Sequence, residues 1–176
     1  MHPIETPRLM LRELVDDDAA FIFKLVNDPS WLRYIGDKGV RDMDGARAYI
    51  ANGPHASYAR FGFGLLRVEL KADGTPIGMC GLIKRDTLDD VDIGYALLPQ
   101  FGGLGYAREA ADATLCHARD VLQLARLVAL VSPDNQASIK LLEKLGLRFE
   151  KTLSVSADGM ETALYGRSLQ TGKQEA

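Results

Sequence analysis

The chain has 176 residues, 47% hydrophobic and 26% charged, the balance of an ordinary globular protein long enough to bury a core as one domain. A formal net charge of −3 argues against nucleic-acid binding, which normally shows a basic excess. No apolar run approaches the ~20 residues that span a bilayer, and Met1-His2-Pro3-Ile4-Glu5 lacks the design of a secretory signal, so a cytoplasmic, membrane-free protein is expected.

In chain order, Arg8–Leu14 alternates Leu9 and Leu11 against Arg8, Met10 and Arg12 and reads as a strand. Asp16-Asp17-Asp18 then put carboxylates at a helix start, where the dipole favours them; they read as caps rather than metal ligands. The helix runs to about Asn27 with Phe21, Ile22, Leu25 and Val26 as its apolar stripe, and Asp28-Pro29 breaks it. Trp31, Leu32, Tyr34 and Ile35 follow, then Gly36 and Gly39, and a second helix over about Met43–Ala51. An excursion of this length between strands often carries function. Taken alone, Trp31 and Tyr34 read as core aromatics.

Phe61–Leu70 alternates as a strand, and Ala72-Asp73-Gly74-Thr75 is a hairpin turn, Asp-Gly being a strong signal. Ile77–Lys84 returns, and Thr87–Asp90 turns again into Val91–Leu98, giving three consecutive antiparallel strands. A helix beginning near Tyr106 shows Ala107, Ala110, Ala111, Thr114, Leu115 and Ala118 on one face. Leu127–Val131 is an apolar run of buried-strand length. Asp134 or Asn135 caps the next helix and Gly146 ends it. Leu147–Val155 and Thr162–Leu169 close as a hairpin through Ala157–Met160, before a polar tail, Gln170–Ala176, expected to be disordered. Cys80 and Cys116 read as free buried thiols rather than as a disulfide. His2, His55 and His117 have no metal-ligand spacing, and no metal is expected.

The chemistry concentrates between the third of these strands and the helix that follows. An apolar run ends at Pro99, and Gly102, Gly103 and Gly105 fall within four residues before the helix. Glycines let backbone approach a ligand closely, and the free amides of a helix's first turn carry partial positive charge, which together bind phosphate. A dinucleotide fingerprint starting at Gly103 fails at Arg108, where its third glycine would stand, and a nucleotide P-loop lacks its Gly-Lys-Ser/Thr. The remaining readings are the pyrophosphate loop of an acetyl-CoA-dependent N-acetyltransferase, Gln/Arg-x-x-Gly-x-Gly/Ala, and a glycine-rich turn with no ligand.

The run Asp92-Ile93-Gly94-Tyr95-Ala96-Leu97, followed by Gly103-x-Gly105-Tyr106-Ala107-x-Glu109-Ala110, resembles the RimJ/RimL branch of the GNAT superfamily, which acetylates N-termini of ribosomal proteins. Ser132–Ser138, Glu143–Leu147 and Thr6–Arg12 resemble further signatures of that branch, so the likeness spans about residues 5 to 168. It implies a mixed α/β GNAT fold: a mostly antiparallel sheet of about seven strands with one splayed pair, flanked by about four helices. Two loop registers fit, one opening on Gln100 and one on Gly102. The second agrees with the Gly-Tyr-Ala-x-Glu-Ala tail and leaves only backbone amides at its first position.

The resemblance implies acetyl-CoA as co-substrate, held by Leu97, Leu98, Gly102, Gly103, Leu104, Gly105, Tyr106, Ala107 and Asn135, with a backbone amide at Leu97 or Leu98 polarising the acetyl carbonyl. Asp92 is the candidate base, because burial in an apolar strand raises a carboxylate pKa; the other reading is a solvated strand-end carboxylate beside Asp89 and Asp90. Ser138 is either proton donor to the thiol sulfur or a helix-start hydroxyl bonding backbone. Asn135 is expected both to cap its helix and to meet pantetheine amides. In the resembling family the excursion after the first helix forms one wall of the acceptor groove, which implies that Trp31 and Tyr34 line a substrate pocket, the alternative being core aromatics. Lys140 and Lys144 read as solvated. The acceptor is a protein or peptide N-terminus, or a small amine such as an antibiotic, polyamine or amino acid. A non-catalytic acyl-CoA sensor is the reading from another class. The protein is expected to be a monomer or homodimer.

Overall fold

A computed structural model describes residues 2–154 and 161–170 of the chain. The expected Ala157–Met160 turn, and the tail beyond Gln170, lie outside the described residues. One eight-stranded sheet runs through the structure in the order β1-β2-β3-β4-β5-β6-β8-β7, one strand more than expected. It opens with β1 (Ile4–Glu5) against β2 (Leu9–Arg12). The expected three-strand meander is β3 (Leu65–Leu70), β4 (Pro76–Ile83) and β5 (Val91–Leu97). Then β5 pairs with β6 (Arg126–Val131) in parallel, the one parallel neighbour in the sheet. The sheet closes with β8 (Glu161–Ser168) beside β6 and β7 (Arg148–Ser154) at the edge.

Helices cover both faces. On one, α5 (Tyr106–Asp120) and α6 (Gln136–Lys144) press Ala110, Ala111, Leu115, Ala118 and Leu142 onto Leu66, Val68, Cys80, Leu82, Ile93, Leu127 and Ala129. The small residues at three- and four-residue spacing let α5 lie close to the strands. On the other face, α1 (Ala19–Val26) and α3 (Met43–Ile50) pack with Trp31, Met79 and Leu98 into a second cluster. Gly146, at φ +84, ends α6 as expected, with the Leu147 amide closing onto the Leu142 carbonyl at 3.0 Å.

Two helices were not expected. Asp28-Pro29 ends α1 but also begins α2 (Pro29–Tyr34): the Asp28 carboxylate accepts the Ser30 amide at 2.9 Å and Pro29 takes the first helical position. The α3 helix passes its breakers Gly53 and Pro54 through a wide π-turn, Ala51–His55, and continues as α4 (Ala56–Phe61). The wide turn accommodates a proline that an α-helical turn would reject. Gly62, at φ +75, then stops α4, so the strand expected from Phe61 begins at Leu65. The alternation of Phe61 and Phe63 comes instead from two rings stacked 5.8 Å apart across the helix end.

Of the three acidic residues before α1, only Asp18 is buried, at 2% exposure. Its carboxylate accepts both Arg12 terminal nitrogens and the Val15 amide, each at 2.9 Å, and pairs with Arg67; Arg12 and Arg67 also reach Glu69. Burial alone would raise its pKa, but the hydrogen bonds from Arg12, Val15 and Arg67 hold it below the usual value. The network's contribution is therefore complete above the unfolded carboxylate range and fades as pH falls below it. Asp18→Ala takes the buried carboxylate from Arg12 and Arg67, leaving them Glu69, and is expected to cost about 1.5–3 kcal/mol, read by urea denaturation at neutral pH.

Candidate active site

β5 keeps β4 along its whole length, from Gly78 opposite Leu97 to Ile83 opposite Asp92. It keeps β6 only at Val91–Leu127 and Asp92–Val128, after which the two strands part. The Leu98 amide donates to the Ile77 carbonyl at 2.8 Å, so it is spent within the sheet. Amides alternate along a strand, which turns Leu97 and Tyr95 N–H toward the opening. Of the two amides expected to face the acetyl carbonyl, Leu97 has the free edge and Leu98 does not; the Leu98 side chain is buried in the second core cluster.

Two cavities of about 460 Å³ each meet at this opening and share Trp31, Tyr34, Tyr95, Ala96, Ser132 and Ser138. They differ away from that shared wall. Asp92 belongs to one, with Lys38 and Arg85. The glycine loop belongs to the other, with Asn135 and Arg108. Trp31 is 5% exposed and its Nε1 donates to the Gly36 carbonyl at 3.2 Å, so it is both a core residue and a wall; Tyr34 is half-buried beside it.

Asp92 is 2% exposed, which removes the solvated reading. Burial pushes its carboxyl up to about 6, opposed by the Arg85 guanidinium, whose Nε donates to Oδ2 at 2.7 Å, and by the Leu130 backbone N–H. Ser138 stands in the first turn of α6, its amide held by the Asn135 side chain at 3.2 Å, so Asn135 is the cap. The Tyr95 hydroxyl lies 2.9 Å from Ser138 Oγ and donates to the Ser138 carbonyl at 3.2 Å.

Gly103 and Gly105 have φ of +74 and +83, a conformation that favours glycine. Gly105 caps α5 with no side-chain hydrogen bond, and the first helical bond is Glu109 N–H to the Gly105 carbonyl, at 3.0 Å. The amides of Tyr106, Ala107 and Arg108 precede that bond and stand at the helix mouth. Glu109 braces the loop from behind: it accepts Thr6 Oγ1 at 2.6 Å, the Arg8 amide at 2.9 Å and Arg8 Nε at 2.6 Å. Arg8 also holds the Leu104 carbonyl at 3.1 Å and lies over the Tyr106 ring, 4.4 Å from its centre. Gly102, Gly103, Gly105, Tyr106 and Ala107 line the cavity; Gln100 does not, and the Leu104 side chain is exposed.

Residues 8–148 match the family described as Acetyltransferase (GNAT) domain. The chain belongs to the GNAT acetyltransferases. It is 33% identical over 151 residues to the uncharacterized protein YkkB of Bacillus subtilis, covering 84% of this chain and 86% of that one. An acetyltransferase structure from Agrobacterium tumefaciens superposes with a TM-score of 0.79 at 26% identity, covering 95% of this chain and 94% of the other. The ribosomal alpha-N-protein acetyltransferase RimL, solved with coenzyme A, shares the fold with a TM-score of 0.80 at 19% identity, covering 95% and 98%.

GNAT acetyltransferases use acetyl-CoA, and this acetyltransferase's residues fit it: uncapped helix amides, a glycine-rich loop whose one side chain, Leu104, points away into solvent, and an open strand edge lie together at the opening. Sequence reasoning missed Tyr95, Arg85, Lys38 and Arg108 as lining residues. Tyr95 carried a signal, since alternation places it opposite Asp92; the others sit in turns or on the loop helix, where periodicity says nothing about a cavity. Gly105→Val puts a β-branched residue at φ +83, with its Cβ 3.3 Å from Arg8 Nη2. It is expected to abolish the rise in Tm that acetyl-CoA gives the wild type while leaving the circular dichroism spectrum unchanged.

Proposed function

We propose that this protein is an acetyl-CoA-dependent N-acetyltransferase that acts on an α-amine of a protein or peptide N-terminus, as the RimJ/RimL resemblance implies. The observation that carries the reading is Asp92: a buried carboxylate at the strand fork, with a pKa of about 6, facing the cavity opposite the glycine loop. Such a group is ionised at neutral pH and is a mild base. A free α-amine, pKa ~7.7–8.0, is roughly 10–20% neutral at pH 7, whereas a lysine amine at ~10.4 is below ~0.1%. A mild base suits the first far better than the second.

When bound, acetyl-CoA supplies an activated acyl group as its thioester. The chain does the rest. Helix-mouth amides from Tyr106 to Arg108 and the glycine backbone grip the pyrophosphate. The Leu97 N–H stands where a developing oxyanion needs a donor. Asp92 takes the proton of the incoming amine, directly or through a water. Ser138 Oγ, linked to the Tyr95 hydroxyl, holds the proton for the departing sulfur. The Tyr95 hydroxyl keeps its own proton at neutral pH, because burial raises its pKa despite the hydrogen bond with Ser138. Asn135 fixes Ser138 and lines the cavity on the cofactor side.

Acetylation of a peptide N-terminal panel, followed by thiol release, tests the reading; release with lysine side chains but no free N-terminus would contradict it. Asp92→Asn is expected to lower kcat/KM by about 10²–10⁴-fold while preserving the acetyl-CoA shift in Tm. The wild-type profile loses activity as pH falls through about 6, where Asp92 protonates, and the variant lacks that limb. Unchanged turnover in the variant would remove Asp92 from its role.

A further inference from the structure

We infer that the acceptor cavity is built for an amine that carries a carboxylate a few bonds from its nitrogen, recognised by Lys38 and Arg85. The inference rests on the acetyltransferase reading above and narrows its acceptor. Among the described residues, four charged groups line this cavity: Lys38, Arg85, Asp92 and Glu161. Tyr34 and Tyr95 are the other titratable groups described on its wall. Glu161, at the start of β8, and Lys38 are both exposed, so water weakens the field of each, and Arg85 is half-buried, its charge acting on both Lys38 and Asp92. Asp92 is buried and engaged by a single nitrogen of Arg85, Nε. The two terminal nitrogens of Arg85 have no partner among the described residues, and Lys38 has no ion-pair partner there.

The two cations are close enough to act on each other: crowding around the Lys38 ammonium lowers its pKa first, and the Arg85 charge lowers it further. Like charges held together at a cavity wall, with donors unspent, are an arrangement an anion relieves. The position of Arg85 fixes the spacing. Its Nε touches the base, so an anion on its terminal nitrogens stands beside the amine that Asp92 deprotonates. An α-amino acid and an N-terminal aspartate or glutamate both carry that pair of groups. A polyamine or an aminoglycoside would bring further positive charge to Lys38 and Arg85. The local field therefore opposes the cationic acceptor that the net charge of −3 would suit.

Pairs of acceptors that differ only in charge test this. Peptides beginning with Asp or Asn form one arm, and free amino acids against their amides the other. The carboxylate member of at least one arm should have kcat/KM about tenfold or more above its neutral partner. A preference confined to the peptides assigns an acidic N-terminus; one confined to free amino acids assigns the small molecule. Lys38→Glu should bring the preference to about twofold or less, read as the ratio of kcat/KM within each pair. Equal rates within each pair, or faster turnover of spermidine than of any carboxylate acceptor, would overturn the proposal.

Binding of N-acetylaspartate against N-acetylasparaginamide, which has no carboxylate, by calorimetry on the wild type and on Lys38→Glu, reads the subsite without turnover. Tighter N-acetylaspartate binding that Lys38→Glu removes supports the subsite even if no acceptor releases thiol, in which case the acetyltransferase reading fails alone. Equal binding of the two probes, or no binding of either, would overturn the subsite by itself.

Discussion

The groove exists because β5 and β6 pair at Val91 and Asp92 and then part. Each strand keeps its antiparallel partner beyond that point: β5 stays with β4 through Leu97, and β6 stays with β8 through Val131. The break therefore costs hydrogen bonds along one edge only. The amides it frees face a cavity, where water or an extended ligand satisfies them. At the fork itself, Asp92 receives the Leu130 N–H as well as Arg85, so a carboxylate stands where the ladder would have continued.

Alternation along β5 then sorts the chemistry without any further device. Asp92, Gly94 and Ala96 face the side of α2, and Ile93, Tyr95 and Leu97 face the side of α5 and α6. The proposed base and the proposed proton donor thus lie on opposite faces of one strand, with the open edge between them. The proposed phosphate-binding end has its own brace. Glu109 ties α5 to the first strands through Thr6 and Arg8, while Phe101 and Tyr106, on either side of the left-handed glycines, pack on the core.

Much of this was legible in the sequence because it rests on local rules. The α5 stripe, the Asp-Gly turn, Gly146 after α6 and the Asn135 cap all follow from periodicity or cap chemistry. Burial of Asp92 was legible from its apolar strand. The unread parts depend on contacts distant in sequence. Asp18 looked like one of three caps until Arg67, far along the chain, closed on it. The α3–α4 helix runs through Asn52-Gly53-Pro54, which a local rule must read as a break, because only a π-turn lets it pass. Leu98 matched a motif, yet its amide is claimed by Ile77 on the neighbouring strand. Lys38 and Arg85 sit in turns that no periodicity describes.

The free edge of β5 is the most direct place to test the account. Amide hydrogen exchange at Tyr95 and Leu97, followed by NMR with and without acetyl-CoA, reads it residue by residue. The account predicts that both amides exchange readily in the free protein and slow by roughly tenfold or more when acetyl-CoA is bound, while Leu98, already bonded to Ile77, changes little. Unchanged exchange at Tyr95 and Leu97, under conditions where acetyl-CoA raises the Tm, would place the ligand elsewhere and contradict it.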